Sequence, residues 1–167
     1  MTAPSATSLA IRSATRDDVA LILRFIRDLA EYEKAPEQAV ATEADLQRDG
    51  FGSAPLFHVE LAFWNDEPAG FALWFPNYST WRGRAGLYLE DLFVRPEFRG
   101  RGIGKALLRR LAQITVEKGW YGMRWLVLDW NKPSIEFYDA LGAERMSEWL
   151  AYRLSGEPLK RLAGKIS

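Results

Sequence analysis

Apolar residues along this 167-residue chain recur with two periods, and the alternation between them predicts its elements. Residues 9–14, LAIRSA, alternate and predict a short strand. From Val19 the period lengthens. Val19, Ile22, Leu23, Ile26, Leu29 and Ala30 fall at helical spacing, which predicts a helix to about Lys34, opened by the T-x-x-D of Thr15 to Asp18. Its end puts Tyr32 and Glu33 where helix gives way to loop, and Pro36 breaks it. A second T-x-x-D, Thr42 to Asp45, opens a short helix that stops near Gly50. Strands are expected at 56–63 and at 69–75, joined by the turn WNDEP, with Pro76 ending the second. YSTWRGR, 78–84, reads as a loop dense in aromatics. Residues 87–94 alternate again: Leu87, Leu89, Asp91 and Phe93 face one way, Tyr88, Glu90, Leu92 and Val94 the other, until Pro96 ends the ladder. Ile103, Leu107, Leu111 and Ile114 form the stripe of a helix closed by Gly119. RWLVLDW, 124–130, has β-formers at almost every position and predicts a buried strand. Asn131 caps a helix with Pro133 in its first turn and Gly142 at its end. EWLAYRL, 148–154, predicts a last strand, and the tail a helical turn at most.

The strands on either side of the 102–118 helix are expected to be parallel neighbours joined by a right-handed crossover, and the three before it an antiparallel meander. The expected fold is α/β, with a central mixed, mostly antiparallel sheet of six to seven strands and helices on both faces. No repeat, linker or low-complexity stretch divides the chain, so residues 1–167 are expected to form one domain, with residues 1–7 frayed.

Composition narrows the function. Lys and Arg total 22 and so do Asp and Glu, so there is no basic excess to suggest broad nucleic-acid affinity. With no cysteine, a disulfide scaffold, a thiol nucleophile and a cysteine-ligated metal are excluded. The single histidine, His58, cannot build a multi-histidine metal site and reads as a half-buried strand residue. No stretch has the ~20 apolar residues of a membrane span, and the N-terminus has no secretory pattern. The expected location is the cytoplasm, with neither membrane nor nucleic acid as partner.

Glycines at 100, 102 and 104 arrive where a strand must turn into a helix. A helix N-terminus offers free N–H groups and partial positive charge, and glycine lets a ligand approach the backbone closely. Arg99 and Arg101 add fixed charge. A Walker loop would need Ser or Thr after its Gly-Lys, but Ala106 follows Gly104 and Lys105. The G-x-G-x-x-G dinucleotide pattern is also absent. A pyrophosphate seat of the R-x-x-G-x-G kind, Arg99 to Gly104, remains, beside the plain reading of a turn that needs glycine.

This turn, the element order and the segment WNKPSIEFY together resemble the Gcn5-related N-acetyltransferases. Within that family the chain is similar to diamine acetyltransferases, the spermidine/spermine branch and its thialysine relative. LAEYE, DGFG, YSTWRGR, YLEDLFV, RGRGIG, VLDWN, FYDALGA and RLAGK carry the likeness, which runs from about Leu9 to Lys165. Leu150 after Trp149 departs from the branch pattern EGWR. The resemblance implies acetyl-CoA as co-substrate, no metal, a small amine as acceptor, and a homodimer that pairs or exchanges its C-terminal region.

The resemblance seats the cofactor on Leu92, Phe93 and Val94, on Arg99, Gly100, Arg101, Gly102, Ile103, Gly104 and Lys105, and on Asn131, Pro133, Ser134 and Tyr138. It places the amine by Tyr32, Glu33, Glu90, Asp91, Arg124, Trp125 and Leu126. Elementary chemistry agrees for several of these. A primary amine with pKa near ~10.4 arrives as ammonium and must lose a proton before it attacks. Glu90 is expected to assist, directly or through water. A tyrosine stays protonated at neutral pH, which suits Tyr138 to protonate the departing thiolate. Glu90 and Asp91 are adjacent on a strand and face opposite sides unless a bulge re-aims one of them. Two other readings stay open: a non-catalytic acyl-CoA-binding regulatory module, and acetylation of a protein N-terminus or lysine.

Overall fold

In the computed structural model, which describes residues 8–165, five strands form one sheet in chain order. They are β1 (Leu9–Ser13), β2 (His58–Trp64), β3 (Glu67–Ser79), β4 (Arg84–Val94) and β5 (Met123–Arg124). All neighbours are antiparallel except β4 and β5, which the crossover through α3 (Ile103–Glu117) makes parallel. The expected fraying of residues 1–7 lies outside the described residues. The chain forms two compact units divided between Leu126 and Val127.

In the first unit, local signals set the helix ends. Asp18 closes a capping box with Thr15 ahead of α1 (Val19–Tyr32), and Asp45 closes one with Thr42 ahead of α2 (Glu43–Gly50). Arg12 donates to Asp18 and, with Thr15, holds its carboxyl down at about 2. At the far end of α3, Gly119 is left-handed at φ +65°, its N–H donates to Val116 O, and Trp120 N–H donates to Thr115 O. That is a Schellman closure, and the positive φ is why glycine stands there.

Helices cover both sheet faces. Val19, Ile22, Phe25 and Leu29 of α1 and Leu46 of α2 pack with Val59, Leu61, Phe71, Leu73 and Phe93. Glu60, between Val59 and Leu61 on β2, points to the opposite face. There it meets Arg110 of α3 at 3.4 Å and accepts from Ser13 Oγ at 2.9 Å. Those partners allow a carboxylate to be only 2% exposed.

Several expectations are corrected. Pro76 does not end β3, which runs to Ser79 with Pro76 opposite Leu87. Pairing with β2 starts at Trp74 opposite His58, so beyond Trp74 β3 has a strand on one side only. The N–H that proline lacks is not required on that open edge. The aromatic stretch 78–84 is therefore a four-residue turn, 80–83, between strand ends at Ser79 and Arg84.

Among the described residues the sheet has five strands, not six to seven. The strand expected over 124–130 is only the pair Met123–Arg124, and Leu126 is 70% exposed. In the second unit, 148–154 is not a strand, and Trp149 and Tyr152 are 59% and 91% exposed. β-forming side chains make a strand only against a partner ladder, and beyond Arg124 none lies beside these segments among the described residues. The same unit holds α4 (Lys132–Ala140), closed by Gly142 at φ +80°, and α5 (Gly156–Leu162), two turns where a single turn was expected.

Candidate functional site

Two irregularities of β4 build the site in the first unit. The first is a bulge. Asp91 pairs with Leu73, but Leu89 pairs with Trp74, so Glu90 is the extra residue. Across it the strand changes faces. Leu87 and Leu89 lie with Trp74 on the α3 side, while Asp91 and Phe93 lie with Leu73 and Phe71 on the α1 side. The uniform alternation expected over 87–94 is thus corrected. The second irregularity is a splay. β5 pairs with β4 only at Leu87–Met123 and Tyr88–Arg124, whereas β4 continues to Val94. The backbone of Leu92, Phe93 and Val94 is left on that side without a paired strand among the described residues.

The bulge gives adjacent carboxylates different surroundings. Glu90 is exposed. Asp91 is largely withdrawn from water, and its carboxyl is pushed up to about 7, first by burial and then by the charges of Glu90 and Glu33. Glu33, the residue that ends α1, is itself raised by burial. Tyr88 is raised by burial and by Glu90, with Arg124 acting against both. The charges of Glu90 and Glu33 thus both act on Asp91, and Glu90 and Arg124 act in opposite senses on Tyr88. Sequence reasoning treated Asp91 as a binding residue and missed that it is the carboxyl held near neutrality. The signal was its place in an apolar strand.

Beyond Val94 the chain passes through the turn Pro96–Phe98 into the glycine segment. Gly100 and Gly102 have φ of +74° and +78°, and a Cβ at either would meet nothing within 4 Å. The backbone conformation requires glycine, and the space beside it is open. Gly102 caps α3 without any side-chain hydrogen bond, and the first turn, Ile103, Gly104 and Lys105, carries no acid. Uncapped helix N–H groups, open space and Arg99 and Arg101 alongside fit a phosphate-bearing group. Arg101 lies 5.2 Å from the Trp64 ring centre, and Arg99 4.6 Å from that of Tyr32.

The remaining expected residues lie elsewhere along the chain. Trp125 and Leu126 follow β5 at the end of the first unit. Asn131, Pro133, Ser134 and Tyr138 belong to the second. Asn131 caps α4, its Oδ1 accepting from Ser134 N at 3.4 Å, with Pro133 in the first turn. Tyr138 sits on α4 with its ring 5.4 Å from that of Phe137.

The sequence profile of the acetyltransferase (GNAT) family matches residues 22–143, a span that holds the bulge, the splay and the glycine turn together. The chain belongs to this family. A GNAT N-acetyltransferase draws its acetyl group from acetyl-CoA, and the open glycine turn fits that molecule's pyrophosphate. Among curated relatives, this GNAT chain is 43% identical to the thialysine N-epsilon-acetyltransferase of Bos taurus, over 93% of its own length and 97% of the relative's. It is 30% identical to the L-ornithine N5-acetyltransferase of Arabidopsis thaliana, over 91% and 86%. Among solved structures, an integron cassette protein from V. cholerae superposes with a TM-score of 0.79 at 27% identity, over 93% of this chain and 98% of that one.

Proposed function

We propose that this acetyltransferase moves an acetyl group from acetyl-CoA to the terminal primary amine of a small cationic molecule of the thialysine, lysine or polyamine kind. The observation that carries this reading is Asp91 at the β4 bulge, whose carboxyl is raised by burial and by the charges of Glu90 and Glu33. The positive charge of an ammonium ion would offset that negative charge. The curated relatives favour the terminal amine of a basic amino acid, since both are named for such a substrate.

In the proposed mechanism, the glycine turn holds the pyrophosphate and the unpaired edge of β4 aligns the pantetheine amides as an added strand would. Acetyl-CoA supplies the thioester carbon. Glu90 assists removal of the ammonium proton, directly or through water, so that the nitrogen lone pair can attack. The Val94 N–H faces the oxygen on which negative charge develops. Tyr138 gives its proton to the thiolate as it leaves. For the proton acceptor a second reading is favoured by one observation: the Asp91 carboxyl is pushed up to about 7, where an acceptor works best at neutral pH. Two copies are proposed to associate through residues 144–154.

The test is acetyl-CoA turnover, read as released thiol, over thialysine, ornithine, lysine, spermidine and a peptide with a free N-terminus. Saturable turnover of a small diamine or basic amino acid is expected. Turnover of the peptide alone would overturn the small-amine reading. Repeating the best amine with Glu90→Gln and Asp91→Asn separates the acceptors. Whichever variant abolishes the rise in kcat/KM with pH carries the proton.

A further inference from the structure

Three arginines flank the glycine turn, and they are held differently. Arg95 donates to Pro68 O at 3.1 Å and pairs with Glu97 at 2.5 Å. Arg101 lies against the rings of Trp64 and Phe98. Both therefore brace the turn against the β2–β3 end of the sheet. Arg99 alone reaches the other way. Its Nε donates to Val94 O at 2.9 Å, and its guanidinium carbon stands 4.6 Å from the Tyr32 ring centre and 5.7 Å from that of Phe93. No carboxylate pairs with it among the described residues.

The connection this makes is short. Arg99 is extended, and Gly100 at φ +74° turns the main chain away from it into the open seat. Its side chain meanwhile folds back onto the last residue of α1. Tyr32 is followed by Glu33, the carboxylate that acts on Asp91. One side chain thus joins the first peptide of the phosphate turn to the wall beside the acidic cluster. Its contacts are a hydrogen bond to a neutral carbonyl and two ring faces, which favour a planar guanidinium over an ammonium.

We propose that Arg99 is a positioning residue that couples the two substrate seats: by spanning from the glycine turn to Tyr32 it makes the placement of the amine wall depend on the turn that holds coenzyme A. This rests on the acetyl-transfer reading above. Coupling of this kind is reciprocal in binding. A residue at the cofactor turn then affects the amine even when the cofactor seat is full.

The experiment measures KM for thialysine at saturating acetyl-CoA in Arg99→Leu, Arg99→Lys, Tyr32→Leu and the Arg99→Leu/Tyr32→Leu pair, with Tyr32→Phe as the variant that keeps the ring. Arg99→Leu is expected to raise the thialysine KM roughly 3- to 10-fold, the size of one exposed cation–ring contact with its hydrogen bond. The increase is expected to vanish in the Tyr32→Leu background and to persist in Tyr32→Phe. Arg99→Lys keeps the charge but not the planar span. It should recover the KM for acetyl-CoA and not that for thialysine, and this arm decides the matter should the leucine variant fail to fold. An unchanged thialysine KM in Arg99→Leu or in Arg99→Lys, or additive effects of the leucine pair, overturns the coupling while leaving acetyl transfer intact. A wild-type chain that acetylates no amine overturns both together.

Discussion

Residues 8–126 and 127–165 use similar side chains to opposite effect. In the first region Leu61, Phe71 and Leu87 are wholly buried in the sheet. In the second Trp149, Leu150, Tyr152 and Leu154 are exposed, in a sequence with as strong a strand pattern. The difference shows that a strand is a relation between segments. Each central strand of the sheet has a neighbour on both sides over part of its length, and residues 148–154 have none among the described residues. Exposed apolar side chains of this kind gain from being covered. That fits the second copy proposed above.

The sharpest break between the regions is chemical. If the second contributes only surface, Tyr138→Phe on α4 is silent. If the hydroxyl protonates the leaving thiolate, the variant keeps its fold and its affinity for coenzyme A while kcat falls ~10- to 1,000-fold. Steady-state kinetics beside calorimetric binding of coenzyme A decides. Full kcat would make the hydroxyl structural.

Next in size is assembly. Light scattering at micromolar concentration is expected to give about twice the 19.0 kDa chain mass. Trp149→Asp places a charge in the exposed apolar segment and should return the mass to that of one chain, because an unpaired charge is costly to bury at an interface. A wild-type monomer ends the idea. A mutant that stays dimeric moves the interface away from 144–154.

What could be read from the chain follows the same division between local and relational features. The starts of α1 and α2 were legible because a capping box lies within four residues, and the ends of α3 and α4 because a left-handed glycine closes each. The glycine turn was legible because its chemistry is backbone chemistry. The passage of β3 through Pro76 was not, since it depends on where β2 begins opposite it. Nor could the sequence say which of Glu90 and Asp91 turns toward α1, because the bulge is a mismatch between β4 and β3 and belongs to neither strand alone. The stacking of Arg99 on Tyr32 joins positions 67 residues apart by number, and no local pattern announces it.

The smallest predicted effect sharpens the comparison from inside the first region, through stability without ligand. Asp18 and Asp91 start from the same ordinary carboxyl value, 3.8, and move in opposite directions. Asp18 is lowered to about 2, chiefly by its hydrogen bonds from Arg12, so its contribution is present above 3.8 and is lost as pH falls through about 2. Asp91 is raised to about 7, so between about 4 and 7 the folded state holds a proton that the unfolded chain has released. Stability therefore declines as pH rises through that window, and the penalty is complete above it. Asp91→Asn removes the titration and keeps the shape. It is expected to raise the melting temperature at pH 8, by an amount reflecting on the order of 1–3 kcal/mol, and to change it little at pH 4. Thermal melts of both proteins at the two pH values check this. An equal shift at both would mean that the asparagine stabilises by packing, and that the Asp91 carboxyl is not held near neutrality by burial.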